Sequence, residues 1–367
     1  MNIIYFVPNI TIAGGIFRIV SDKMNYLAEN IEGQLFLAYY GNGQEKSIYP
    51  LHPNILLIPI NIDWKVGFGK KILRILKNIS VIRHILKKNK IDIAINANAP
   101  LLIWILPFIC RRIKKVHEFH FSYEGQQILD EEIFKSRVKK HLAQYLRKYC
   151  LKKFDMVVAL TESDKEMWGL QNILVIPNFS NIHQHGESSR ENKVVISAGR
   201  LENVKGYDRL ISAWALVTQK HPDWQLEIWG EGRLRNCLQQ QIDNLHLSSV
   251  VHLKGVSHNM SEVYARSSFF VMSSLYEGFP LVLVEAMNCG LPCVSFDITG
   301  ANSIIDNGKN GFLVPHNDMD ALAHACIKLI KDETLLEDMG NQAYISIARF
   351  SKQKVMQKWI DLLERLM

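Results

Sequence analysis

SLYEGFPLVLVEAMNCGLP, residues 274–292, is where the fold of this chain becomes legible. A helical run starts at Leu281, and the turn Gly278-Phe279-Pro280 stands immediately before it. The apolar runs 269–272 and 292–296 on either side have the length of buried strands. Strand, helix and strand in so short a span make a βαβ unit, whose strands run parallel with a right-handed crossover. The same stretch carries chemistry. The turn leaves the backbone N–H groups of Phe279, Leu281 and Val282 without helical acceptors, and donors at the positive end of a helix suit an anionic phosphate. Glu277 and Glu285, eight positions apart, flank that place. Carboxylates accept hydrogen bonds through several lone pairs, which suits sugar and ribose hydroxyls. One glutamate beside a turn would be an ordinary helix start with a stray acid. Two of them, with the turn and the small residues Ala286 and Gly290, mark a ligand site.

Outward from this unit the alternation continues. Upstream, 194–197, 226–229 and 250–253 read as strands, with helices at 207–219, 234–244 and 260–266. Downstream, 318–331 and 334–339 are helical, and 351–367 is a last amphipathic helix. The first half repeats the pattern, with strands at 2–7, 34–40, 55–59, 91–95, 114–119, 156–160 and 174–176. Its helices begin near Gly15 and occupy 70–88, the apolar 99–110 and the basic 134–152, with a polar loop after Phe119. Pro177-Asn178 and the polar run 180–193 read as a linker. The expectation is an α/β chain of two Rossmann-like, doubly wound parallel-sheet domains facing across a cleft: 1–176, 177–350, and a helix 351–367 returning to the first domain. Ligands of such sheets bind beyond the carboxyl ends of the strands.

The 367 residues, 48% hydrophobic and 22% charged, suffice for two cores and exclude a disordered or collagen-like chain. No run reaches the ~18 apolar residues of a membrane span. The run 99–110 is interrupted by Pro100 and Pro107 and reads as a buried helix behind a strand. MNIIYFVPNI has neither the basic start nor the cleavage site of a signal peptide and reads as a first strand. Cys110, Cys150, Cys237, Cys289, Cys293 and Cys326 lack metal or disulfide spacing; Cys289 and Cys293 read as small core residues in a reducing cytosol. Charge is uneven. Residues 65–153 hold 21 Lys/Arg against 6 Asp/Glu, and the rest of the chain holds 22 against 30. A basic face on one domain points to a polyanionic partner, a bilayer surface or a nucleic acid.

Three further stretches are candidates. SAGRLENVKG, 197–206, places Arg200 and Lys205 beyond a strand's carboxyl end, a fork and a point charge that suit a pyrophosphate. Ala13-Gly14-Gly15 after the first strand lets backbone approach a ligand. His117-Glu118-Phe119-His120 closes another strand, and either histidine suits a neutral hydroxyl. With these in place, EGFPLVLVEA resembles the E-x7-E motif of the family 4 retaining glycosyltransferases. SAGRLENVKGYDRLI is similar to that family's Gly-Arg-Leu…Lys-Gly segment, LEIWGEGRLRNCL to its Gly-x-Gly turn, VHLKGVSHNMSEVYARSSFFVMSS to its next block and NGKNGFLVPHND to its Asn-Gly-x-x-Gly segment. The likeness covers 194–350; before that it rests on Gly14-Gly15 and the histidine segment.

The resemblance implies a GT-B fold with a nucleotide-sugar held mainly by the C-terminal domain. Arg200 and Lys205 would bind the donor diphosphate and stabilise the leaving group. Glu277 would contact the transferred sugar, with Gly278, Phe279, Pro280, Leu281 and Val282 forming the turn against the donor. Glu285 would hold the ribose, and Val256, at the end of the block 253–256, would flank the base. Gly14 and Gly15 would approach the phosphates and acceptor. His120 would sit near the sugar, with His117 the alternate. The chain departs from many relatives at Ile298-Thr299-Gly300-Ala301-Asn302, where they carry Cys-Pro-x-Gly, and this leaves the donor sugar open. The expected reaction moves a hexose or N-acetylhexosamine, from a UDP-sugar rather than GDP-mannose, to a glycan or lipid-linked saccharide.

No cofactor is expected. With no Asp-x-Asp set in view, the two cations do a metal's work, and transfer is metal-independent. No acid stands ready as a nucleophile, so the departing phosphate assists transfer on the same face. The basic segments 70–90 and 135–153, with Arg111, Arg112, Lys114 and Lys115, would dock on an anionic membrane surface from the cytoplasm. A sugar-nucleotide epimerase or phosphorylase on this fold and an inactive scaffold are the other readings. A dehydrogenase is disfavoured because Gly230-Glu231-Gly232 lacks the third glycine. A nucleic-acid-binding role is disfavoured because the basic segments lack aromatic interleaving and a recognition motif.

Overall fold

The computed structural model of the chain describes residues 1–12, 14–61, 71–180, 188, 192–257 and 259–367. Ala13, Lys65, Lys70 and most of the expected linker 180–193 lie outside the described residues. The described chain divides into two compact units, Met1–Asn178 with Gln353–Met367, and Phe179–Lys352.

Strands covered on both faces must be apolar throughout, and IIYFV of the first strand is buried at every position. In the first unit the order is β1 (Ile3–Val7), α1 (Gly15–Asn30), β2 (Leu35–Tyr40), β3 (Ile55–Ile60), α2 (Lys71–Lys88), β4 (Ile93–Ala97), α3 (Leu102–Ile105), β5 (Lys114–Glu118), α4 (Tyr123–Ile133), α5 (Arg137–Leu151), β6 (Met156–Ala159), α6 (Glu162–Trp168) and β7 (Ile173–Val175). The sheet runs β3-β2-β1-β4-β5-β6-β7. Its pairs are parallel, with Tyr5 opposite both Leu37 and Ile95.

The second unit contains β8 (Val194–Ala198), α7 (Tyr207–Lys220), β9 (Gln225–Trp229), α8 (Arg235–Asn244), β10 (Val251–Gly255), α9 (Met260–Ala265), β11 (Phe269–Met272), α10 (Leu281–Asn288), β12 (Cys293–Phe296), α11 (Thr299–Asn302), β13 (Gly311–Val314), α12 (Met319–Lys331) and α13 (Glu333–Ile347). Its parallel sheet runs β10-β9-β8-β11-β12-β13. The strand order therefore reverses between β1 and β4 in one unit and between β8 and β11 in the other. A crevice opens at such a reversal because the loops on its two sides depart in opposite directions. The last helix, α14 (Lys352–Leu366), packs within the first unit from Gln353 onward, with Trp359 buried there.

Several local readings are corrected. The stretch after Phe119, expected as a polar loop, holds helix α4, whose Ser122 cap accepts a hydrogen bond from the Gly125 N–H at 3.1 Å. Its inward residues include the buried Asp130, so apolar periodicity gives no sign of it. The basic helix expected at 134–152 begins at Arg137 instead. The apolar run 99–110 is two short turns, α3 and a 3-10 turn at Leu106–Phe108, rather than one helix. Pro107 supplies no N–H to continue the helical ladder. Helix α6 was not anticipated; its Thr161 cap accepts from the Asp164 N–H at 3.0 Å.

Candidate active site

In the second unit the loops that follow β8 and β11 flank the reversal of strand order. Gly206 opens α7 at φ +59°, and a Cβ there would stand 2.2 Å from the Ser273 carbonyl oxygen. Glycine thus lets the start of α7 close on the end of β11. The contact is sealed by the Ser273 hydroxyl, which donates to the Lys205 carbonyl at 2.8 Å, and by the Leu275 N–H, which donates to Val204 at 2.8 Å. Gly230 and Gly232 serve the same end beneath the β8 loop, where a Cβ would stand 2.0 Å from Gly199 O and 2.5 Å from Leu201 O.

This packing brings Lys205 and Glu277 together. The Lys205 ammonium donates to the Glu277 carboxylate, which also accepts from the Ser274 hydroxyl at 3.2 Å. Both side chains remain about one-fifth exposed. Arg200, on the same loop as Lys205, is exposed and makes no side-chain bond among the described residues. Gly278, Phe279 and Pro280 are buried, and Phe279 meets Phe350 edge-on at 5.2 Å. That anchor fixes the turn. The N–H groups of Gly278, Phe279, Leu281 and Val282 find no acceptor among the described residues. A pair of cations, a carboxylate and a row of free N–H donors at the start of α10 therefore converge on one strand-order reversal.

Glu285, about one turn into α10, is buried, and its Oε2 accepts from the Tyr264 hydroxyl at 3.1 Å. Burial and this carboxylate together push the Tyr264 phenol well above its usual range. Burial, with Glu285 adding, pushes the Cys289 thiol up to about 11, so it stays neutral. Val256 is exposed just beyond β10. Gly300 of α11 lies against the turn: a Cβ there would stand 2.6 Å from Glu277 O and 2.8 Å from Pro280 Cδ. The segment where this chain departs from its relatives thus touches the backbone of Glu277. Sequence reasoning did not anticipate Tyr264 or Ser274, because neither belongs to a spaced motif.

In the first unit, Gly14 caps α1 and its N–H donates to the Tyr49 hydroxyl at 3.1 Å. A Cβ on Gly14 or Gly15 would meet nothing within 4 Å, so packing does not require glycine at either place. His117 is buried among Phe119 and Phe154. The Ala99 N–H orients the Asn96 amide, which then donates to His117 Nδ1 at 3.1 Å. Burial, with the neighbouring His120 and Arg147, lowers His117 to about 3. His120 is lowered to about 4, because burial outweighs the attraction of Glu118. Its Nε2 lies 3.6 Å from Glu118 Oε1 and has no hydrogen-bond partner. Glu118 is paired instead with the buried Lys23 of α1, whose ammonium sits 4.4 Å from the centre of the Trp359 ring. Lys23 was not anticipated either. It stands 95 positions from Glu118, and no local pattern links them.

Among the described residues, no group of three or more His, Cys, Asp or Glu side chains is arranged to hold a metal ion. Among them, too, no helix is long and apolar enough to cross a membrane. Residues 178–365 match the family described as Glycosyl transferases group 1, and residues 13–184 match Glycosyltransferase Family 4. An uncharacterized glycosyltransferase of Haemophilus influenzae is 26% identical over 366 residues, 98% of this chain and 99% of that one. The amylovoran biosynthesis glycosyltransferase AmsD of Erwinia amylovora is 30% identical over 244 residues, 63% of this chain and 67% of its own. The fold is shared with HepE of Anabaena, solved in complex with UDP-glucose, at a TM-score of 0.78 with 20% identity over the whole of both chains. The chain belongs to the glycosyl transferases group 1, as a family 4 glycosyltransferase of GT-B fold.

Proposed function

We propose that the chain transfers a hexose or N-acetylhexosamine from a UDP-sugar to a glycan or lipid-linked saccharide, with retention and without a metal, in the synthesis of a bacterial surface polysaccharide. The observation that carries this reading is the Lys205–Glu277 pair beside the free N–H groups of α10. A diphosphate at that place would take hydrogen bonds from the turn and charge from Lys205 and Arg200. HepE, which holds UDP-glucose on the same fold, supports a UDP-linked donor, and AmsD supports a polysaccharide product.

The reaction breaks the bond from the sugar's anomeric carbon to the diphosphate oxygen. It forms a bond to the acceptor oxygen on the same face. The acceptor's proton passes to the departing phosphate oxygen. Lys205 and Arg200 stabilise the charge that grows on that phosphate, and removing one such group from a preorganised site costs about 2.7–4 kcal/mol of barrier. Glu277 orients the sugar hydroxyls and Glu285 the ribose. The acceptor side is assigned to the first unit, where His120 stays neutral and suits an uncharged hydroxyl. The excess of basic residues in the first unit supports a peripheral position on the cytoplasmic face of the membrane.

Nucleotide release from purified protein tests the reading, across UDP-glucose, UDP-galactose, UDP-GlcNAc, UDP-GalNAc and GDP-mannose in the presence of EDTA. Release from one UDP-sugar, lost in Glu277→Ala and Lys205→Ala while both variants stay folded, is expected. Release from GDP-mannose alone overturns the donor, and release that needs an added divalent cation overturns the metal-independent route.

A further inference from the structure

Helix α5 is turned inside out. Ahead of Cys150 and Leu151, which are buried at its C-terminal end, its inward side chains are mainly polar: Arg147, buried, makes two hydrogen bonds to Asp130 of α4, at 2.7 and 2.6 Å. Lys140 pairs with Glu131 at 2.9 Å, and the Gln144 amide donates to Gln127. The opposite side carries Val138, Leu142, Tyr145, Leu146 and Tyr149, whose exposures run from 42% at Leu146 to 77% at Val138. Their spacing of four, three, one and three residues places them on one stripe. An amphipathic helix of a globular unit ordinarily buries such a stripe. Here the ion-paired side faces in and the apolar side faces out. The Tyr149 ring stacks on the half-exposed Phe108 with centroids 6.3 Å apart, which extends the patch to a second element.

The charge on the stripe's own helix has one sign. Residues 134–154 contain eight Lys and Arg and no Asp or Glu. Lys140 and Arg147 are spent on the inward pairs. Lys135, Arg137, Lys139, Lys148, Lys152 and Lys153 make no ion pair among the described residues. We propose that this side of α5 docks on an anionic lipid bilayer, with the stripe at the acyl boundary and the lysines among the headgroups. Charge complementarity selects this occupant. In a two-fold pairing with a second copy the same six cations would face one another. A nucleic acid would satisfy the cations but leave the stripe in water. The inference deepens the peripheral-membrane reading above and is independent of the donor chemistry.

Flotation of the full chain with vesicles tests it, using phosphatidylcholine alone and phosphatidylcholine mixed with phosphatidylglycerol. The wild type is expected to float with the anionic vesicles only. Leu142→Gln with Leu146→Gln should weaken partitioning about ten-fold or more, since each change removes a leucine's insertion. Lys148→Gln, Lys152→Gln and Lys153→Gln together should weaken it most at low salt. Both variants should keep the wild-type melting temperature and nucleotide release, because none of these side chains is part of the core or of the donor site. Hydrogen exchange on the wild type gives a second readout, with α5 amides slowed by anionic vesicles. Wild-type protein that stays at the bottom of the gradient, a leucine variant that floats as well as wild type, or protection that spares α5 overturns the proposal. So does a dimer that the leucine variant abolishes. Release lost with flotation intact speaks against the donor reading alone.

Discussion

Gly206 and Gly15 occupy matching places, each at the start of the helix that follows the first central strand of its sheet, yet they answer to different constraints. At Gly206 the backbone is left-handed and a Cβ would strike Ser273 O at 2.2 Å. At Gly15 a Cβ would meet empty space. Gly206→Ala is therefore expected to cost about 1–3 kcal/mol, the usual penalty of a strained backbone position, and to lower the melting temperature. Gly15→Ala should leave melting unchanged and reduce transfer. Full activity in Gly15→Ala would show that no ligand approaches that loop. The motif glycines look alike in the sequence, because the letter G does not say whether protein or substrate needs the space.

Helices α4 and α5 show how an element's neighbour decides its orientation. The Asp130–Arg147 pair is buried between them, and a buried pair that loses one partner leaves an uncompensated charge. Asp130→Asn should destabilise the first unit by about 3–5 kcal/mol, read from denaturant unfolding. Leu142→Ala, on the exposed stripe, should shift stability by no more than about 0.5 kcal/mol. Equal effects from the two would mean that α5 packs the other way round. Apolar spacing reveals that α5 has a stripe. It does not reveal that α4 offers α5 a carboxylate, and so it does not settle which side turns inward.

The first unit is completed by the far end of the chain. Trp359 of α14 is buried beside Lys23, and Trp359→Ala should cost about 3–5 kcal/mol through the cavity it leaves. The loss should fall on the first unit, seen as faster hydrogen exchange in β1 and α1; loosening confined to the second unit would refute it. The same unit should be acid-sensitive. Free histidine titrates near 6.5, whereas His120 and His117 are held at about 4 and about 3 by burial. Between those values the unfolded chain binds protons that the folded chain does not. Stability is therefore present in full above about pH 6.5 and falls as pH drops toward 4, by about 1.4 kcal/mol per pH unit for each histidine. His120→Gln should flatten the slope of melting temperature against pH across that window. An unchanged slope would show that His120 is not buried in the neutral form.

The sequence by itself determined the α/β alternation, the parallel sheets and the family, because strand and helix periods and turn chemistry are local. It also placed Glu277, Glu285 and the Gly-Phe-Pro turn on one short segment, where neighbours in sequence are neighbours in space. Only the tertiary structure decided which groups meet. Lys205 reaches Glu277 across 72 positions because β8 and β11 are adjacent in the sheet. Lys23 reaches Glu118 across 95 because α1 packs near the end of β5. The outward stripe of α5 was decided by the same kind of contact. Periodicity states that a helix has two sides, and the charge buried against it chooses between them.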